Sequence, residues 1–154
     1  MIELTIARAI HLVSIVIWIG GISFVTIVML PAIKSQYGFA LQESIFQLIE
    51  NRFAKIAKWM LLIAGISGFY MVDQLNAWGR FTQKQFFWMH AMVFVWLIFT
   101  LALFIVEPIL KKRHGQKSQG SKHTMEVTLR LHVVLLMVSL VTVFISVLGA
   151  HGIL

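Results

Sequence analysis

Four histidines stand in or at the ends of long uncharged segments: His11, His90, His132 and His151. An ionisable side chain at membrane depth is costly and is read first as functional. Imidazole is also a general metal ligand through either ring nitrogen. Nothing else in these segments competes with it. No Asp or Glu lies inside an uncharged run, so a carboxylate proton relay or a site for a coupling ion has no visible group. The chain has no cysteine, which excludes disulfides, iron–sulfur clusters and thiolate chemistry. What remains is coordination by imidazole. Pairs of imidazoles at one depth in a helix bundle are what a b-type haem needs, with the macrocycle filling the apolar interior. Met89 and Met92 flank His90 and keep a copper alternative, because thioether and imidazole suit Cu(I). Zinc is weaker, for want of ligands at zinc spacing.

The elements that carry these residues follow from composition. Of 154 residues, 59% are hydrophobic and 12% charged, about half the charge of an ordinary soluble domain. Mean hydropathy is +0.87. A water-soluble enzyme, a disordered tail and a nucleic-acid-binding domain are therefore excluded as leading readings. The net charge of +7 does not reverse this, since the charges lie between apolar runs and not on an interleaved basic face.

A membrane-crossing helix needs about 20 mostly apolar residues. Ala9 to Ile33 is free of charge for 25 residues, Gln85 to Val106 for 22 and Leu131 to Leu154 for 24. Between Lys58 and Asp73 lie only 14 uncharged residues, so the second span needs Lys55 and Lys58 to snorkel to the headgroups. The expected architecture is an all-α integral membrane protein, a four-transmembrane-helix bundle in one domain, 1–154. Its spans fall near 5–31, 53–74, 85–107 and 126–150. The first run is too long for the core of a signal peptide. Residues 35–47 are expected to form a short amphipathic helix at the inner surface.

Four spans put both termini on one side. Nine Lys/Arg flank the 1–2 and 3–4 connections, against Arg8, Arg80 and Lys84 on the other side. The positive-inside rule then places both termini outside and the basic 111–123 segment in the cytoplasm. That segment reads as a topology signal and lipid-headgroup contact, with His114 and His123 as solvated loop residues. The expected location is the cell (inner) membrane, with the lipid bilayer as the main partner and a homo-oligomer as an alternative.

Depth sorts the histidines. His11 lies about two turns into span one and His90 just inside span three, both from the outer end. His151 ends span four on that side, and His132 enters from the inner side. His11 and His90 are thus the expected iron ligands, with His151 and His132 as alternatives, though both read first as structural or interfacial residues. Arg8, one turn before His11, is placed to pair with a haem propionate. Gly20 and Gly21 in span one, and Gly65 and Gly68 in span two, lack the side chains that would block a flat ring. They also suit helix packing. Trp18, Trp59, Trp78 and Trp88 read as packing or interfacial residues.

The string Ala9-Ile10-His11, followed after six residues by Trp18-Ile19-Gly20-Gly21, resembles the first helix of small membrane proteins of the HemJ and CopD type. Trp88-Met89-His90 is similar to a Trp-Leu-His segment of HemJ proteins, which are haem-containing protoporphyrinogen oxidases. CopD proteins are linked to copper handling. The resemblance covers about a third of the chain and implies a haem-ligand role for His11. Met92 stands where the HemJ pattern has lysine. The expected function is electron transfer by a b-type cytochrome carrying haem b, with a quinone or an extracytoplasmic redox protein as partner. The alternatives are a porphyrinogen oxidase and a copper-handling membrane protein.

Overall fold

The computed structural model describes residues 2–36, 38–114 and 122–153. Helix α1 (Ile2–Ser23) runs through a π-helical segment, Phe24–Met29, into α2 (Leu30–Gln36). Helix α3 spans Phe39–Gln74. Two 3₁₀ turns, Trp78–Thr82 and Lys84–Phe86, lead to α4 (Phe87–Leu101). A second π-helical segment, Ala102–Val106, continues into α5 (Glu107–His114), and α6 is Lys122–Ala150. Four stretches are long and apolar enough to cross a membrane: Ile2–Ser35, Ser44–Gln74, Lys84–Ile109 and Leu129–Ala150. The all-helical, four-span architecture expected from hydropathy is what the chain forms.

Side-chain pairs fix the packing order. Glu3 meets Tyr70 and His11 meets Ala64, so α1 and α3 run antiparallel. Gly65 packs on Trp96, and Lys58 on Glu107, which sets α3 against span three. Gly149 packs on Trp88, closing α4 against α6. α6 also touches α1. The helices therefore form a ring in the order α1, α3, α4, α6, with spans one and three on the diagonal. The Trp18 and Phe99 rings meet across that diagonal, edge to face at 4.8 Å. They join Ile19, Ile22, Leu61, Val95 and Leu136 in the central core. The outward faces are large apolar residues such as Ile66, Phe94 and Phe144, as a lipid-facing surface requires.

Each π-helical segment ends two residues before a proline. Leu30 N–H reaches back to the Val25 carbonyl, and Glu107 N–H to the Ala102 carbonyl, each five residues away. Pro31 and Pro108 follow at once. A proline ring in a regular helix clashes with the carbonyl four residues back and has no N–H to give it. The wider turn relieves that clash while the chain stays helical.

The expected surface helix over 35–47 is not a separate element. Nothing breaks the chain between Gly38 and Gln74, so α3 is one helix of 36 residues. Phe46, on that stretch, is buried with Val25 and Leu30. At the other end α3 stops at Asn76, which has a positive φ of 49°. Ala77 N–H bonds the Val72 carbonyl and Asn76 N–H the Asp73 carbonyl, closing the terminus in a Schellman turn. The same closure recurs at Gly152, where φ is 71°. Of the basic 111–123 segment, α5 and α6 take the two ends; 115–121 lie outside the described residues.

Candidate functional site: His11 and the half of the bundle holding the termini

His11 projects from α1 against α3. Its Nδ1 lies 2.8 Å from the Ala64 carbonyl oxygen and 3.2 Å from Ser67 Oγ. A carbonyl can only accept, so Nδ1 carries the proton and donates. The other nitrogen, Nε2, is then the one with a free lone pair. This is the arrangement that orients a metal-binding histidine, with the second ring nitrogen tied to a carbonyl. Gly68 makes the approach possible. A Cβ there would stand 3.2 Å from His11 Cε1, tighter than ordinary contact. Ser67 Oγ gives its own hydrogen to the Ile63 carbonyl at 2.6 Å.

Helical phase continues the polar face below His11. Ser14 and Trp18 follow at i+3 and i+7, and both are buried. Ser139, Thr142 and Ser146 on α6 are buried in the same half of the bundle. Ser14 and Ser139 donate to carbonyls of their own helices. The Trp18 and Trp88 indole N–H groups and the Ser146 hydroxyl are buried with no hydrogen-bond partner among the described residues. An indole N–H is a donor only. Such groups fit a ligand that brings acceptors.

Gly21, Gly65 and Gly68 are close-packing positions. A Cβ at Gly65 would come within 2.7 Å of the Trp96 ring, whose Nε1 donates to the Leu61 carbonyl at 2.8 Å. A Cβ at Gly21 would overlap Phe53, and one at Gly149 would overlap Trp88. Gly20 has nothing beside it. The notches are of aromatic-ring width, and the protein's own rings fill them.

His90 has other neighbours. Trp88 is buried against α6, and two residues further, about 200° around the helix, His90 is exposed. Its ring meets Phe81 edge to face at 5.3 Å. It lines an open groove with Thr82, Gln83, Lys84 and Phe87. Phe81 in turn packs on Trp78, Trp78 on Phe69 and Phe69 on Trp96. His90 thus ends an aromatic series that seats the 2–3 connection, while His11 turns to α3. Met89 is buried and so faces away from His90. Arg8 is exposed one turn from His11. His151 Nδ1 donates to the Val147 carbonyl at 2.8 Å, an exposed helix-end contact. His132 meets Phe46 edge to face at 6.1 Å in the opposite half. Among the described residues no three His, Cys, Asp or Glu side chains group as a metal site.

Two interactions escaped the sequence reading. Ser67, bridging His11 and its own helix, carries no sequence signal beyond its place one residue before Gly68. Lys58 is an ion-pair partner: its Nζ lies 3.0 Å from Glu107 Oε2 and 5.9 Å from the centre of the Phe104 ring. Comparison with protein-family models, curated proteins and solved structures returns no match for the chain.

Proposed function

We propose that this chain is a membrane electron-transfer protein of b-type cytochrome character, with His11 as an axial ligand of haem b. The observation that supports this most is the Nδ1 contact of His11 with the Ala64 carbonyl, which leaves Nε2 free to coordinate. The unpartnered Trp18, Trp88 and Ser146 donors suit the acceptor groups that such a cofactor carries. When bound, the haem supplies a one-electron couple at the iron. The second imidazole of the proposal is His90, on depth and not on contact. A porphyrin between spans one and three has to part the Trp18 and Phe99 rings, which meet there edge to face.

The proposal includes the resemblance to HemJ and CopD proteins, carried by His11, Trp18, Gly20 and Gly21, and an orientation with both termini outside the cell membrane. The basic flanks of the 1–2 and 3–4 connections support that orientation.

The test is the absorption spectrum of the purified chain expressed with haem supply, beside His11→Ala, His90→Ala, His132→Ala and His151→Ala. A Soret band with reducible α and β bands is expected, lost or shifted in His11→Ala. Wild-type protein that takes up no haem, or a His11→Ala spectrum identical to wild type, overturns the reading.

A further inference from the structure

The outer side of α3 changes character near the end opposite the termini. Arg52, Lys55 and Trp59 stand there at i, i+3 and i+7, within about 60° of one another around the helix. All three are exposed, Trp59 at 67%. The same side continues into the membrane through Leu62 and Ile66, also exposed. The neighbouring charges are engaged elsewhere. Lys58 pairs with Glu107 at 3.0 Å. Glu50, two residues before Arg52, lies about 200° around the helix from it. Among the described residues neither Arg52 nor Lys55 pairs with an acid.

Cα–Cβ bonds in an α-helix tilt toward its N-terminus. α3 enters the membrane by that end, so Arg52 and Lys55 lean out of the apolar layer. Their long stems carry both charges to the headgroup level. Trp59 opens the uncharged run 59–72, one turn deeper than Lys55. Its indole N–H is a donor only. A partner for this face has to bring an anion at the outer level, an acceptor about one turn deeper and an apolar body beyond. An anionic glycerophospholipid carries these in that order, as phosphate, ester carbonyls and acyl chains. A phosphatidylcholine has the phosphate but sets a quaternary ammonium against the two cations. A second copy of this chain in a two-fold contact would bring the same cations to the same level, where they repel.

We infer that the Arg52–Lys55–Trp59 face of α3 binds one anionic glycerophospholipid, its phosphate on Arg52 and Lys55 and its ester region on Trp59. The planar guanidinium fork matches a phosphate in shape, and the ammonium adds a point charge. The site lies in the half of the bundle opposite His11 and does not depend on the cytochrome reading.

The full chain in a neutral detergent is titrated with dioleoylphosphatidylglycerol and, separately, with dioleoylphosphatidylcholine, and bound lipids are counted by native mass spectrometry. One phosphatidylglycerol should bind about fivefold or more tightly than phosphatidylcholine. Arg52→Gln and Lys55→Gln should each weaken it about fivefold, which is what one cation near an anionic lipid surface amounts to. Trp59→Leu keeps an apolar side chain but loses the N–H, and should weaken it too. Lys112→Gln, at an exposed position of α5 near the same end, removes equal charge and should leave binding unchanged. Excess glycerol 3-phosphate should not displace the lipid. Equal affinity for the two lipids, wild-type binding in any of the three α3 variants, an equal loss in Lys112→Gln or displacement by glycerol 3-phosphate overturns the inference.

Discussion

Lys58 on α3 and Glu107 at the start of α5 form an ion pair of 3.0 Å that ties span two to span three near the end opposite the termini. The pair is mostly shielded, with side-chain exposures of 31% and 13%. In such a place the Coulomb attraction mainly offsets the desolvation of the two ions. Removing one partner leaves the other uncompensated. Lys58→Met and Glu107→Gln should each lower stability by ~1–3 kcal/mol, below the range for a fully buried pair because Lys58 is only partly shielded. The double variant should recover part of the loss. Unfolding in mixed micelles, read as a double-mutant cycle, measures this. Strictly additive single effects would mean that the pair contributes nothing.

Gly68 decides how closely His11 approaches α3. A leucine there overpacks the contact and should cost about 1–3 kcal/mol. It should also push the ring from the Ala64 carbonyl. The expected result is a folded protein with reduced haem retention, measured by the ratio of Soret to protein absorbance. Full haem occupancy with wild-type stability would show that the contact between His11 and Ala64 positions nothing.

Trp96 seats in the Gly65 notch and donates to the Leu61 carbonyl. Trp96→Phe keeps an aromatic ring but loses the N–H, and should cost about 1 kcal/mol. Gly65→Leu forces the whole ring out and should cost more. Thermal denaturation of the two variants in one detergent ranks them. A reversed order would mean that the indole hydrogen bond outweighs the packing.

A reporter fused after Gln119 should behave as cytoplasmic, given nine Lys/Arg on that side against three on the other. Activity confined to the outside would invert the orientation of the bundle and move the His11 half to the cytoplasmic leaflet.

Span number was legible because hydropathy is a one-dimensional signal and the uncharged runs are long. The start of α3 was not, because the polar residues from Gln42 to Gln47 look like a surface segment. Only the burial of Phe46 against Val25 and Leu30 shows that the helix continues inward. At the candidate site, the sequence showed His11 as an imidazole in an apolar run and Gly68 as a close-approach position. It did not show that the two meet, because contact between α1 and α3 depends on the rotation of each helix. For His90 the same limit was decisive. Depth placed it level with His11, whereas its facing is set by Trp88 packing on Gly149, a pairing some sixty residues apart in the chain.

The two π-helical segments bear on tolerance to changes in chain length. Each wide turn holds one residue more than the α-turn it replaces, so it absorbs what is in effect a single-residue insertion. Spans one and three should therefore accept a deletion there that they reject elsewhere. Removing Ile27 together with Pro31→Ala would let an unbroken α-helix form, with residues on both sides keeping their faces. The same deletion at Leu12 would rotate everything before it by about 100° relative to the rest. A deletion scan along residues 10–30 in the Pro31→Ala background, scored by membrane expression, should show its tolerated window at 24–29 and not at 10–23.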